Sequence, residues 1–115
     1  MHKHTISFIN AFRGIWTAIT TQINLRIHFL IGSIVLFLAV YLHVSNDQAI
    51  DLIIAISMVM LAEMVNTSLE FMSDAITLSE NENIKMAKDV AAGAVLLTAI
   101  FAAIIGLFIF IPRLI

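Results

Sequence analysis

The sequence predicts an all-α integral membrane protein, in which an amphipathic surface helix precedes three transmembrane helices. Hydrophobic residues make up 61% of the 115 positions, charged residues only 12%, and the mean hydropathy is +1.03. Soluble domains are about 45–50% apolar, so this chain needs a bilayer as its solvent. We expect residues 1–115 to form a single membrane domain. We also expect the chain to be mature, because its first segment lacks the apolar core of a signal peptide.

The first predicted helix covers about residues 5–23, where apolar residues recur every three or four positions. Phe8, Phe12 and Ile15 fall on one side, and Arg13 and Thr17 fall on the other. This amphipathic pattern is typical of a helix lying in the membrane interface. A helix that merely flanks the first span and docks on the bundle would show the same pattern.

The three predicted transmembrane helices cover residues 25–42, 49–76 and 85–111. Ser45, Asn46 and Asp47 favour a turn and a new helix start between the first two. The second would be about 42 Å long, more than a hydrocarbon core of about 30 Å, so its C-terminal end should protrude. The third should be closed by Pro112 and Arg113.

The distribution of basic residues indicates how the chain is oriented in the membrane. With a cytoplasmic N-terminus, only Arg113 falls outside, and the following fall inside: Lys3, Arg13, Arg26, Lys85 and Lys88. The loop over residues 77–88 is then cytoplasmic.

Composition excludes some kinds of partner and site. The net charge of −2 does not suggest a nucleic-acid partner, and the absence of cysteine excludes thiolate metal sites and disulfides.

Polar side chains form a ladder on the second span. Glu63, Asn66, Glu70 and Asp74 are spaced by three, four and four residues, which places them on one stripe about 80° wide. Glu63 would lie roughly 10 Å inside the cytoplasmic boundary, whereas Asp74 would reach water. Charged groups at such depth are expensive unless they are paired or metal-bound, which makes them functional candidates. The alternative is a structural role in polar contacts between helices, with each carboxyl protonated or paired to Lys85, Lys88 or Arg26.

The start of the third span supplies positive charge beside this ladder. Lys88 and Asp89 are followed by small residues that allow close approach of a helix or a nucleotide. Lys85 fits membrane anchoring better than substrate binding.

The residue types around the ladder match the needs of phosphoryl transfer. This reaction needs oxygen ligands for Mg²⁺, a cation for polyphosphate and a base for an acceptor hydroxyl. No GxxxxGK[ST] run is present, so a P-loop is excluded.

The segments AEMVNTSLEFMSDAIT at residues 62–77 and AKDVAAGAVLL at residues 87–97 resemble the signature of prokaryotic diacylglycerol kinases. AFRGIW at residues 11–16 and NLRIHFL at residues 24–30 extend the resemblance over nearly the whole chain. The resemblance implies a homotrimeric bundle in the bacterial inner membrane, with the N-terminus and active site cytoplasmic. It also implies transfer of the ATP γ-phosphate to diacylglycerol or undecaprenol, giving phosphatidic acid or undecaprenyl phosphate. The acceptor lipid stays open.

Residue roles follow from the resemblance. Glu63 resembles the catalytic base and Glu70 a ligand of the metal bound to ATP. The positions that resemble the family's phosphate and nucleotide contacts are Asn66, Asp74, Lys88 and Asp89. Gln22 stands where the family usually has a metal-binding glutamate. Its carbonyl oxygen can still bind Mg²⁺, but without the charge.

Two other classes of function fit parts of the pattern. A proton- or ion-conducting subunit could use Glu63 and Glu70 as relay carboxylates. A structural three-span protein would need no chemistry and would tolerate glutamine along the stripe. Neither requires Lys88 and Asp89 beside the acidic stripe, and this favours the kinase.

Overall fold

The protein is described by a computed structural model that covers residues 3–76, 79 and 81–115, with residues 3–6 described by their backbone alone. The chain forms α1 (Lys3–Thr21), α2 (Ile23–Tyr41), α3 (Asn46–Ile76) and α4 (Glu82–Leu114). Among these elements, α2, α3 and α4 are long and apolar enough to cross a membrane. The prediction of an all-helical protein with three membrane-length helices is therefore confirmed.

Two helix starts are set by capping side chains. At the start of α3, the backbone N–H of Gln48 donates to Ser45 Oγ at 3.2 Å, and the N–H of Ser45 donates to Gln48 Oε1 at 3.4 Å. At the start of α4, Asn81 Oδ1 accepts from the N–H groups of Asn83 and Ile84. Both caps lie a few residues before the helix starts expected from hydropathy, because capping residues are polar. Thr77, which ends the motif over residues 62–77, lies outside the described residues.

The C-terminal end of α4 differs from the prediction. Pro112 does not close this helix but lies inside its last turn, and α4 ends at Leu114. A proline so close to a helix end removes one hydrogen bond without forcing a stop upstream. The guanidinium of Arg113 donates to the backbone oxygens of Leu42 and His43, each at 3.3 Å, and to Gln48 Oε1 at 2.7 Å. Arg113 thus fastens the end of α4 to the α2–α3 turn.

α2 packs closely on α3 at a glycine. A Cβ atom at Gly32 would lie 2.9 Å from Ile56 Cγ2, so any side chain at this crossing would force Ile56 to shift. Further toward the α2–α3 turn, Ala39, Leu52 and Ile109 form a small buried cluster that joins all three long helices. These contacts fix the register of α2 against α3 and hence the height at which polar residues of the two helices meet.

α1 is joined to α2 by a short break at Gln22. The side chain of Arg26 donates to the backbone oxygens of Ile19 and Thr20, both at 3.2 Å, and so caps the C-terminal end of α1. Ala18 is buried, whereas large apolar residues of α1, including Phe12 and Trp16, are exposed. The expectation that α1 lies in the membrane interface remains a prediction.

Candidate functional site

Glu63 lies on the buried face of α3 and is the most enclosed charged residue among the described residues. Only 3% of its surface is exposed. Its Oε1 lies 3.3 Å from Nε2 of His28, a residue of α2. This is an ion-pair distance when the imidazole is protonated. One turn further along α3, Thr67 Oγ1 donates to the backbone oxygen of Glu63 at 2.9 Å, so the Glu63 carboxylate keeps its acceptor capacity for other groups.

The next two members of the ladder contact each other. Asn66 Nδ2 donates to Glu70 Oε1 at 3.2 Å, as residues four positions apart on one helix face can. Asn66 Oδ1 is buried and has no hydrogen-bond partner among the described residues. Buried acceptors are seldom left unpaired, so this amide oxygen is a candidate ligand for a group that binds here.

The ladder ends at a cation from α4. Lys88 Nζ lies 3.9 Å from Asp74 Oδ1, which links the last turn of α3 to the second turn of α4. Asp89 faces elsewhere, because its Oδ2 accepts from Lys85 Nζ at 2.7 Å on an exposed surface. The two sequence neighbours that resemble the family's nucleotide contacts therefore have different partners.

Gln22 occupies the junction between α1 and α2. Its Nε2 lies 3.4 Å from Thr21 Oγ1, so the contact recorded for this side chain is a local one. Within residues 3–76, 79 and 81–115, no three histidine, aspartate or glutamate side chains converge into a metal site. The assignment of Glu70 and Gln22 to a shared metal stays a prediction.

Two grooves border α3, one beside α1 and the other beside α2 and α4. The first has a volume of about 500 Å³ and lies between α1 and α3, where Arg13 and Thr17 face Thr67 and Ser68. The second has a volume of about 480 Å³ and is lined by α2, α3 and α4. Of the described residues that line the second groove, His28 alone has a polar side chain. The second groove is thus apolar apart from His28, whose Nε2 lies 3.3 Å from Glu63 Oε1.

His28 was missed when the site was predicted from the sequence, although a signal for it exists. It stands in the first predicted span, where an ionisable residue is a functional candidate by default. The sequence alone gave it no partner, because its contact with Glu63 depends on the register between two helices.

Comparison with known proteins shows the family to which this sequence belongs. The model of the prokaryotic diacylglycerol kinase family matches residues 9–110. The chain belongs to this family. An undecaprenol kinase of Bacillus subtilis is 36% identical over 108 residues, which cover 94% of this chain and 88% of that protein. A diacylglycerol kinase of Synechocystis sp. is 41% identical over 110 residues, which cover 95% of this chain and 63% of that protein.

Membership in the prokaryotic diacylglycerol kinase family confirms the resemblance found in the sequence. Both relatives are named as lipid kinases, which supports the same general function here. Their names give different acceptor lipids at similar identity, so similarity alone does not choose between the two.

Proposed function

We propose that this chain is an ATP-dependent lipid kinase that transfers the γ-phosphoryl group of MgATP to the hydroxyl group of a membrane lipid, diacylglycerol or undecaprenol. The products would be phosphatidic acid or undecaprenyl phosphate, and ADP. The observation that carries the proposal is the position of Glu63. This carboxylate is the first member of the ladder of polar side chains on α3, and it lies 3.3 Å from His28, which lines one end of an apolar groove.

The apolar groove is suited to the chain of the lipid acceptor. It runs from His28 and Met60 toward Leu52 and Leu114, along the half of the bundle away from Asp74 and Lys88. Small residues on its walls, including Ala102 and Gly106, leave room for a hydrocarbon chain. A lipid held there would have its hydroxyl at the groove's polar end, next to His28 and Glu63. A helix from a second copy is the competing occupant, and it would block lipid phosphorylation.

Glu63 would act as the catalytic base. Its carboxylate would take the proton of the lipid hydroxyl as that oxygen bonds to the γ-phosphorus and the bond from phosphorus to the ADP oxygen breaks. A base must lie within hydrogen-bonding reach of the proton that it removes, and burial keeps water from competing for that position. The proton leaves on Glu63, and the electron pair of the broken bond leaves with ADP.

Glu70 and Asn66 fit a magnesium ion carried by ATP. Mg²⁺ prefers oxygen ligands and binds through one or two protein groups together with substrate phosphates and water. The carboxylate of Glu70 and the unpaired Oδ1 of Asn66 offer such oxygens on one face of α3. When bound, the ion would neutralise charge on the phosphates of ATP. Gln22 would add a third oxygen through Oε1, because its contact with Thr21 is made by Nε2.

Lys88 and Asp74 would bind the nucleotide at the outer end of the ladder. Lys88 is half-buried and has a flexible side chain, so its ammonium could leave Asp74 for a phosphate oxygen. Asp89 would contact the nucleotide from the exposed surface of α4. We place this end of the ladder and the N-terminus in the cytoplasm of a bacterial inner membrane, because five of the six lysines and arginines would lie on that side.

The decisive experiment is to give purified protein MgATP and each lipid in turn. The wild-type protein should phosphorylate at least one lipid, and Glu63→Gln should lower kcat about 10²- to 10⁴-fold, because the amide cannot accept the proton. Glu82→Gln removes an exposed carboxylate near the start of α4 and serves as the matched control. Near-native turnover by Glu63→Gln would contradict the assigned base. Proton flux into liposomes without lipid phosphorylation would replace the kinase with a conducting subunit.

A further inference from the structure

We propose that His28 is a positioning residue for Glu63, holding the carboxylate toward the end of the apolar groove where the lipid hydroxyl arrives. This inference rests on the proposed function and adds a residue to it. His28 Nε2 lies 3.3 Å from Glu63 Oε1, and the two residues come from different helices. The contact therefore spans the α2–α3 interface at the level of the base.

The side chains of Glu63 and His28 differ in how much of each is exposed, and this difference indicates different roles. The Glu63 side chain is only 4% exposed, whereas the His28 side chain is 25% exposed. His28 lines the apolar groove, whereas Glu63 does not. A hydroxyl entering along this groove would meet the imidazole of His28, which lies 3.3 Å from the Glu63 carboxylate.

The carboxylate needs such a partner because of where it lies. A glutamate on an apolar stretch of helix can adopt several rotamers, and burial disfavours its charged form. On its own helix, the nearest buried neighbours toward the α2–α3 turn are Val59 and Ala55, which cannot bind a carboxylate. The imidazole N–H of His28 offers a donor within reach, and a protonated imidazole adds opposite charge.

The backbone of α2 is held at the correct height for this role. Gly32, one turn beyond His28, packs directly against Ile56 and leaves α2 little freedom to slide along α3. A fixed backbone with a short aromatic side chain places Nε2 more precisely than a long flexible cation would.

The test compares two replacements of His28. His28→Phe keeps a ring of similar size in the groove but has no polar atom, and it should lower kcat about 100-fold, the loss typical of a reacting group displaced by about 1 Å. His28→Gln can still donate to Glu63 and should recover at least part of that loss. The KM for ATP should stay within about twofold in both, because nucleotide binding is assigned to Asp74 and Lys88. His43→Asn, which removes the described histidine outside the site, should behave as wild type.

A double variant separates positioning from an independent role. If His28 acts through Glu63, then His28→Phe should not slow the residual reaction of Glu63→Gln any further. Losses that multiply in the double variant would overturn the inference, as would near-native kcat in His28→Phe or an equal loss in His28→Gln and His28→Phe. Binding of MgATP by every variant checks that the fold is intact.

The two proposals fail in distinguishable ways. If wild-type protein phosphorylates lipid and Glu63→Gln does not, the kinase proposal stands whatever His28→Phe does. An unaffected His28→Phe would then overturn the positioning role alone. A wild-type protein that phosphorylates no lipid would overturn both.

Discussion

Lys88 Nζ lies 3.9 Å from Asp74 Oδ1, and this ion pair joins the C-terminal turn of α3 to the N-terminal part of α4. Both side chains are partly exposed, so the pair itself contributes little to stability, because water screens it. The pair is of interest because Lys88 can exchange Asp74 for another anionic partner. An incoming phosphate can replace the Asp74 carboxylate as the partner of Lys88 without leaving a buried charge unpaired.

Removing the charge of Lys88 should weaken nucleotide binding. We expect Lys88→Gln to raise the KM for ATP about 10- to 100-fold, since a hydrogen bond to a charged group contributes about 1.5–3 kcal/mol. Lys85→Gln is the matched control, because Lys85 lies on the same helix but pairs with Asp89 on the surface. Steady-state kinetics over a range of ATP concentrations measures both. An equal effect of the two variants would mean that only the overall positive charge matters.

Metal affinity should respond to the charge at position 22. Chelation should abolish activity, and Gln22→Glu should lower the Mg²⁺ concentration that gives half-maximal rate, since a carboxylate binds Mg²⁺ more tightly than an amide does. Asn24→Asp adds the same charge at a nearby exposed position and controls for general attraction of cations. If both variants lower the requirement equally, Gln22 is not at the metal.

The close contact between α2 and α3 predicts that one glycine is sensitive to substitution and another is not. In Gly32→Ala the new methyl group would lie 2.9 Å from Ile56 Cγ2, and overpacking of this kind costs about 1–3 kcal/mol. Gly106→Ala meets no atom within 4 Å and should be neutral or stabilising, because alanine favours the helix. Thermal unfolding in detergent compares the two. A lower unfolding temperature for Gly106→Ala than for Gly32→Ala would contradict this packing.

We predict that the protein is a homotrimer, because much of α4 lacks cover within one chain. A groove of about 690 Å³ between α3 and α4 is lined by large apolar residues together with small ones, among them Ala62, Ala91 and Ala94. Small residues allow close helix association in membranes. Ala94→Leu should fill this groove and reduce the mass measured by light scattering in mild detergent, whereas Ala92→Leu, away from the groove, should not. A wild-type monomer with full activity would refute the trimer.

Helical periodicity predicted relationships within one helix but not those between helices. The spacing of Asn66 and Glu70 was enough to place them on one face, and the hydrogen bond between them agrees with that placement. The partner of Glu63 could not be predicted in the same way. It depends on how far α2 is shifted along α3, and this is set by the packing of Gly32 on Ile56.

The partners of the basic residues show the same limit. Lysines and arginines were expected to pair with carboxylates if the ladder were structural, yet Arg26 caps α1 through backbone oxygens. Lys85 and Lys88 are three residues apart on α4, but only Lys88 reaches α3. That choice depends on the rotation of α4 about its axis, which hydropathy does not reveal.

The buried face of α3 changes character at Glu63. Toward the α2–α3 turn, its buried residues are Val59, Ala55 and Leu52, all of them apolar. Placed in a bilayer, this half of the helix would act as an electrical insulator. If Glu63 is the base proposed above, a proton that it takes up would find no polar side chain on this buried face to carry it toward the α2–α3 turn. A cell could thus keep many copies of such a protein in an energised membrane without a proton leak that would dissipate its proton gradient.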